Sequence, residues 1–157
     1  VPLAQYVPAD KLIRALAEYL KENVKEVSPL PWSSYVKTGS HAERIPTQPD
    51  FWYIRCASLL RRIYLDGPVG IESLRTAYGG RAKKGMRREH HYKAGASLIR
   101  KPLQQLESAG LVTKLGTRGR ALTDKGKSIV DRISYKLLKE LQKDLPALSK
   151  YLPAKVK

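Results

Sequence analysis

The stretch Asp50-Phe-Trp-Tyr-Ile-Arg-Cys-Ala-Ser-Leu-Leu-Arg-Arg-Ile-Tyr-Leu-Asp-Gly67 limits the fold more than any other part of the chain. Wound at about 100° per residue, its Trp52, Tyr53, Cys56, Ala57, Leu59, Leu60, Ile63 and Tyr64 cover roughly two-thirds of a helix circumference. Arg55, Ser58, Arg61 and Arg62 make the only polar strip. A surface helix buries a single stripe, so a helix this apolar must be covered from several sides. The reading is a central helix over 50–67, with the Asp50 carboxylate as N-cap and Gly67-Pro68 as the stop.

The remaining elements are expected to arrange themselves around it. Pro8 and Asp10 open a first helix over 8–27, carried by Leu12, Ile13, Leu16, Leu20, Val24 and Val27 at helical spacing. Four prolines between 29 and 49 then give an irregular connection that packs Trp32 and Tyr35 onto the core. A short helical segment with Ile71, Leu74 and Ala77 stops at Gly79-Gly80. It is followed by 81–93, where six Lys or Arg stand against one Glu with no core-forming period. That composition predicts an exposed basic loop, ordered only when it binds. Leu98, Ile99, Leu103 and Leu106 place a helix over 97–109, in which Pro102 either kinks the interior or forces regular geometry to begin near Lys101. Two short strands joined across 116–119 make a hairpin over 111–122. Thr123-Asp124 caps a last helix over 123–145, and a basic tail fills 146–157.

This order predicts a mainly α, winged helix-turn-helix-like single domain: five or so helices around a central amphipathic helix, with a short β-hairpin wing. The helix over 97–109 takes the recognition position. Arg100, Lys101, Gln104 and Gln105 then lie at the nucleic acid, with Arg118 and Arg120 reaching a flanking backbone. The two glutamines either read adenine edges or are ordinary surface residues.

Charge points the same way. Thirty Lys and Arg against fourteen Asp and Glu leave a net +16, far beyond what solubility needs. A polyanion, and nucleic acid first among them, is the natural counterpart. A merely solvated basic surface is the bland alternative, and an acidic membrane fits least, because the cations are not gathered on one amphipathic helix. No apolar run approaches the roughly 18 residues of a membrane span, and the single cysteine, Cys56, has no partner to oxidise with. The expectation is a soluble protein of a reducing, intracellular compartment.

Four segments taken together resemble a known family. Asp50-Phe-Trp-Tyr-Ile-Arg-Cys-Ala-Ser58, Tyr78-Gly-Gly-Arg81, Leu106-Glu-Ser-Ala-Gly-Leu-Val112 and Gly119-Arg-Ala-Leu-Thr-Asp-Lys-Gly126 look like the archaeal and eukaryotic small-subunit ribosomal protein family nineteen-e, over about residues 3–135. The resemblance implies a structural constituent of the small-subunit head in the cytoplasmic ribosome. Such a constituent binds ribosomal RNA beside neighbouring head proteins, is needed for subunit maturation, and has no catalysis of its own. It would place RNA-facing cations on Arg55, Arg61 and Arg62 and on the 81–93 segment through Arg81, Lys83, Lys84, Arg87, Arg88 and Lys93. His90, His91 and Tyr92 either stack on an unpaired base there or tuck back onto the core. Of the central arginines, Arg61 and Arg62 are expected to be exposed, and Arg55 faces either RNA or an internal carboxylate. The chain departs from the family at Pro102 and in running on past Lys143.

Enzyme signatures fail on spacing. Gly119 and Gly126-Lys127-Ser128 have six residues between the glycines where a phosphate loop has four. His41, His90, His91 and Cys56 have no metal-ligand spacing, and no Ser-His-Asp set is implied. Neither cofactor nor metal is expected. The rival reading is a dimeric winged-helix DNA-binding transcription regulator, with the first and last helices as its dimer interface. The ribosomal reading expects a monomer in isolation.

Overall fold

The computed structural model describes residues 3–151, so the expected tail beyond 151 lies outside the described residues. Helix α1 spans Ala9–Asn23 and buries Leu12, Leu16, Ala17 and Leu20, one apolar stripe. It ends earlier than the periodicity suggests. Val24 is already extended, and Val27 reaches the core after a turn in which its amide donates to the Val24 carbonyl at 3.4 Å. Helix α2, Phe51–Asp66, buries Trp52, Cys56, Ala57, Leu59, Leu60 and Ile63, and it packs against α1, the fourth helix, the fifth helix and the wing. Each large side chain so enclosed stabilises the fold by about 1.5–3 kcal/mol relative to exposure. The central position read from the sequence is where α2 sits.

Two local expectations give way. The Asp50 side chain makes no capping bond and instead accepts from Lys21 Nζ at 3.0 Å, pinning α2 to α1 across an exposed ion pair. Tyr35 does not pack onto the core: it is 82% exposed, and only Trp32 turns inward, edge-on to Trp52.

Helix α3, Ile71–Ala77, leads into strands β1 (Gly80–Ala82) and β2 (His90–Tyr92), which pair antiparallel with Arg81 opposite His91. The expected irregular loop is therefore a hairpin, ordered at its base by the chain's own backbone bonds rather than only on binding. Helix α4, Ser97–Ser108, runs without interruption through Pro102, whose ring is buried among Leu98, Ile99, Leu103 and Leu106. Packing of that ring offsets the backbone bond that proline cannot make to Leu98.

The wing consists of β3 (Val112–Lys114) and β4 (Arg120–Leu122), paired Val112 to Leu122. Val69 and Arg120 exchange backbone bonds of 2.9 and 3.0 Å, so β4 is held on its other edge by the α2–α3 connection. Helix α5, Asp124–Asp144, is capped by Thr123, whose hydroxyl accepts from the Gly126 amide at 3.2 Å. Gly126 must lack a side chain, since a Cβ there would lie 2.4 Å from the Leu111 carbonyl oxygen. The result is a mainly α, winged-helix-like fold in which α4 and the wing strand β4 pack on α2, and α3 packs on α4.

Candidate nucleic-acid interface

The return end of the basic hairpin is anchored to α3. Arg75 Nε donates to the Ala94 carbonyl at 3.0 Å, and Glu72 accepts from Arg75 and from Lys93 at 2.7 and 3.0 Å. Those two bonds, Arg75's first, hold the Glu72 carboxyl below its ordinary range. Lys93 is thus a tether for the return strand rather than a free cation.

Strand alternation sorts the rest of the hairpin. Ala82, His90 and Tyr92 share one face, and with Lys84, Arg87 and Arg88 they line a shallow groove of about 180 Å³. Arg81 and His91 lie opposite each other on the other face. Tyr92 is not an open platform: Lys84 Nζ sits 4.6 Å above its ring and 3.3 Å from its hydroxyl. Lys83 lies 3.8 Å from Glu89, a loose exposed pair. At the tip, Met86 is fully exposed among these cations, a residue that sequence reasoning passed over.

Only four residues, 93–96, separate β2 from α4, so the hairpin and the recognition-position helix are continuous in the chain. Arg100 and Lys101 are exposed on α4, and Arg118 is exposed at the wing tip. Among the described residues, Arg81, Arg87, Arg88, Arg100, Lys101 and Arg118 have no carboxylate partner.

The other cations meet their expectations unevenly. Arg120 is buried and its Nε donates to Glu107 at 3.0 Å, so it bolts the wing to the end of α4 and cannot reach a backbone outside. Arg55 has no carboxylate partner among the described residues and lies against aromatic rings. Its guanidinium lies 4.5 Å from the Tyr78 ring centre and 5.2 Å from that of Phe51, while Tyr78 also shares a 2.6 Å hydrogen bond with the Ser58 hydroxyl. Burial lowers the Arg55 pKa from its ordinary value, and Tyr78 opposes that shift. Arg61 is half-buried, with Nε enclosed and without a partner among the described residues. Arg62 is exposed but pairs with Asp66 one turn on.

Gln105 is structural as well. It accepts from Trp52 Nε1 at 2.7 Å and donates to the Ser28 carbonyl at 2.8 Å, which leaves only Gln104 of the two glutamines exposed.

Fold and surface together define a basic winged-helix protein carrying a second, charged hairpin ahead of its recognition-position helix. The chain belongs to the family described as ribosomal protein S19e, whose profile matches residues 3–140. Similar proteins include the small ribosomal subunit protein eS19 of Aeropyrum pernix, 50% identical over 93% of this chain and 96% of that protein. Its counterpart eS19A of Schizosaccharomyces pombe is 42% identical over 85% and 92%, and that of Haloarcula marismortui 40% identical over 92% and 95%. This is a family of ribosomal proteins, not of enzymes.

Proposed function

We propose that the chain is a structural constituent of the small ribosomal subunit that binds ribosomal RNA through the β1–β2 hairpin, the exposed face of α4 and the wing tip. The observation that carries this is the set of unpaired cations on those three elements within a chain whose relatives are small-subunit proteins along nearly their whole length. Such a surface needs no base code. An RNA duplex hides its bases in a deep, narrow groove, so phosphates, shape and 2′-hydroxyls dominate. Arginine forks at Arg81, Arg87, Arg88, Arg100 and Arg118 suit phosphate oxygens, and Lys84 and Lys101 add point charges.

The site of action is the cytoplasmic ribosome, in the head of the small subunit beside neighbouring head proteins, and the chain contributes to subunit maturation. Before assembly it is a monomer. The apolar faces of α1 and α5 that a dimeric DNA-binding regulator would use are spent inside the chain: Leu12, Leu16 and Leu20 on one helix, Val130 and Leu138 on the other, are fully buried.

Co-sedimentation tests the reading. The tagged chain should travel with small subunits, and its affinity for small-subunit RNA should fall steeply with salt, as release of counterions from roughly 6–8 phosphates requires. Dimerisation and protection of a palindromic DNA site would favour the regulator instead.

A further inference from the structure

A groove of about 390 Å³ lies between the Pro31–Ser34 turn and the start of α4, with Trp32, Val36 and Leu98 as apolar walls and the exposed Lys37 and Lys101 beside them. Its size falls within the roughly 300–1,000 Å³ of pockets that hold small ligands. The geometry points to a seat for one unpaired ribonucleotide, the base against Trp32, Val36 and Leu98 and its phosphate between Lys37 and Lys101. This rests on the RNA-binding reading above and names a component of the RNA that the cationic surface alone would not select.

Three features support that occupant. No carboxylate lines the groove, and neither lysine has an ion-pair partner among the described residues, so a flat apolar group carrying an anion matches it and a basic segment does not. The wall is also built in advance. Trp32 stands at 85° to Trp52, 5.9 Å between ring centres, and Trp52 is held through Gln105 to the Ser28 carbonyl. On the other side Gly95 donates to the Thr38 carbonyl at 2.8 Å and Gly39 bridges Ala94, fixing residues 38–39 against the connection that leads into α4. A seat held in this way loses little freedom on binding. Finally, a paired base would have to give up both its pair and its stack to enter, whereas a bulged or single-stranded one can stack on an aromatic wall.

The test compares two RNAs, a fully paired duplex and the same duplex with one bulged nucleotide. The wild-type chain should prefer the bulged form by roughly five- to a hundredfold, the range of one base–aromatic stack. Val36→Asn, which brings no charge near Lys101, should shrink that preference while leaving duplex affinity unchanged, and the exposed Lys37→Gln should independently reduce it. In the wild-type chain, a single-stranded tetraribonucleotide should shift the Trp32 indole and residue 36–37 amide resonances, and inorganic phosphate should leave the indole unmoved. Equal binding of both RNAs, a silent groove, or a photo-crosslinker at position 37 that marks a protein in assembled subunits would each overturn the assignment. Those results leave the RNA reading intact, whereas failure to bind either RNA removes it and the groove's role together.

Discussion

The Arg55 guanidinium lies over the Tyr78 ring at 4.5 Å, and the Tyr78 hydroxyl meets Ser58 one turn further along α2. This pair explains how Arg55 and Ser58, on the polar strip of a central helix, can be partly enclosed. The cation is satisfied by aromatic faces, Phe51 on its own helix and Tyr78 from the end of α3, and the serine by a phenol. Tyr78 is therefore the clasp between α2 and the hairpin that begins at Gly80.

Removing that clasp should cost stability before it costs RNA affinity. Tyr78→Ala is expected to destabilise the fold by about 2–4 kcal/mol, through lost aromatic burial and a stranded cation. Tyr78→Phe keeps the ring and loses only the Ser58 bond, about 1 kcal/mol. Urea denaturation measures both, and equal losses from the two variants would show that the ring contributes nothing.

A second clasp joins the wing to α4. Glu107→Ala leaves the Arg120 charge buried without its partner, which is expected to cost about 3 kcal/mol. Arg120→Met strands the Glu107 carboxylate instead, but that side chain is 20% exposed against 10% for Arg120 and can hydrate, so this should be the milder change. Thermal unfolding of the two variants decides the order, and a more damaging Arg120→Met would contradict it.

These clasps mark where the sequence stops being legible. The α2 boundaries could be read because every signal for them is local: continuous apolar spacing, then Gly67-Pro68. The β1–β2 hairpin could not, because its strands are three residues long and bury only Ala82, so no alternation shows. Its closure depends on a tertiary approach instead, since a Cβ on Gly79 would lie 2.3 Å from the Tyr92 carbonyl oxygen. Arg120, Gln105 and Lys93 look like free surface groups until folding sets Glu107, Trp52 and Glu72 beside them. Pro102 misled in the opposite sense, because a local rule about helix interiors was outweighed by burial of its ring. The cations with no carboxylate partner among the described residues, Arg87, Arg88, Arg100 and Lys101 among them, were legible as a basic surface from composition alone.

Charge reversal at the hairpin tip separates that surface from the clasps. Arg87→Glu combined with Arg88→Glu should weaken binding to small-subunit RNA and reduce the slope of log affinity against log salt by about 1–2 units. Both side chains are exposed and lack a carboxylate partner among the described residues, so the unfolding curve should stay where it is. Filter binding across a salt series reads the slope, and an unchanged slope would exclude these arginines from phosphate contact.

Cys56 supplies a pH-dependent test of the central helix. Burial pushes its thiol up from 9.0 to about 12, with Arg55 opposing the shift only in part. Below pH 9 the thiol is protonated in both folded and unfolded chains and stability does not depend on it. Between pH 9 and about 12 the unfolded chain ionises while the folded one does not, so stability falls as pH rises through that window. Tyr64, lifted by burial and by its bond to Asp131, adds to the same alkaline loss. Cys56→Ala should therefore flatten the pH dependence of unfolding above pH 9 without abolishing it. In the wild-type chain a thiol reagent at pH 8 should react only as fast as the fold opens, because the thiol is enclosed and protonated. Labelling of the native chain at the rate of a free thiol would mean that α2 is not enclosed as described.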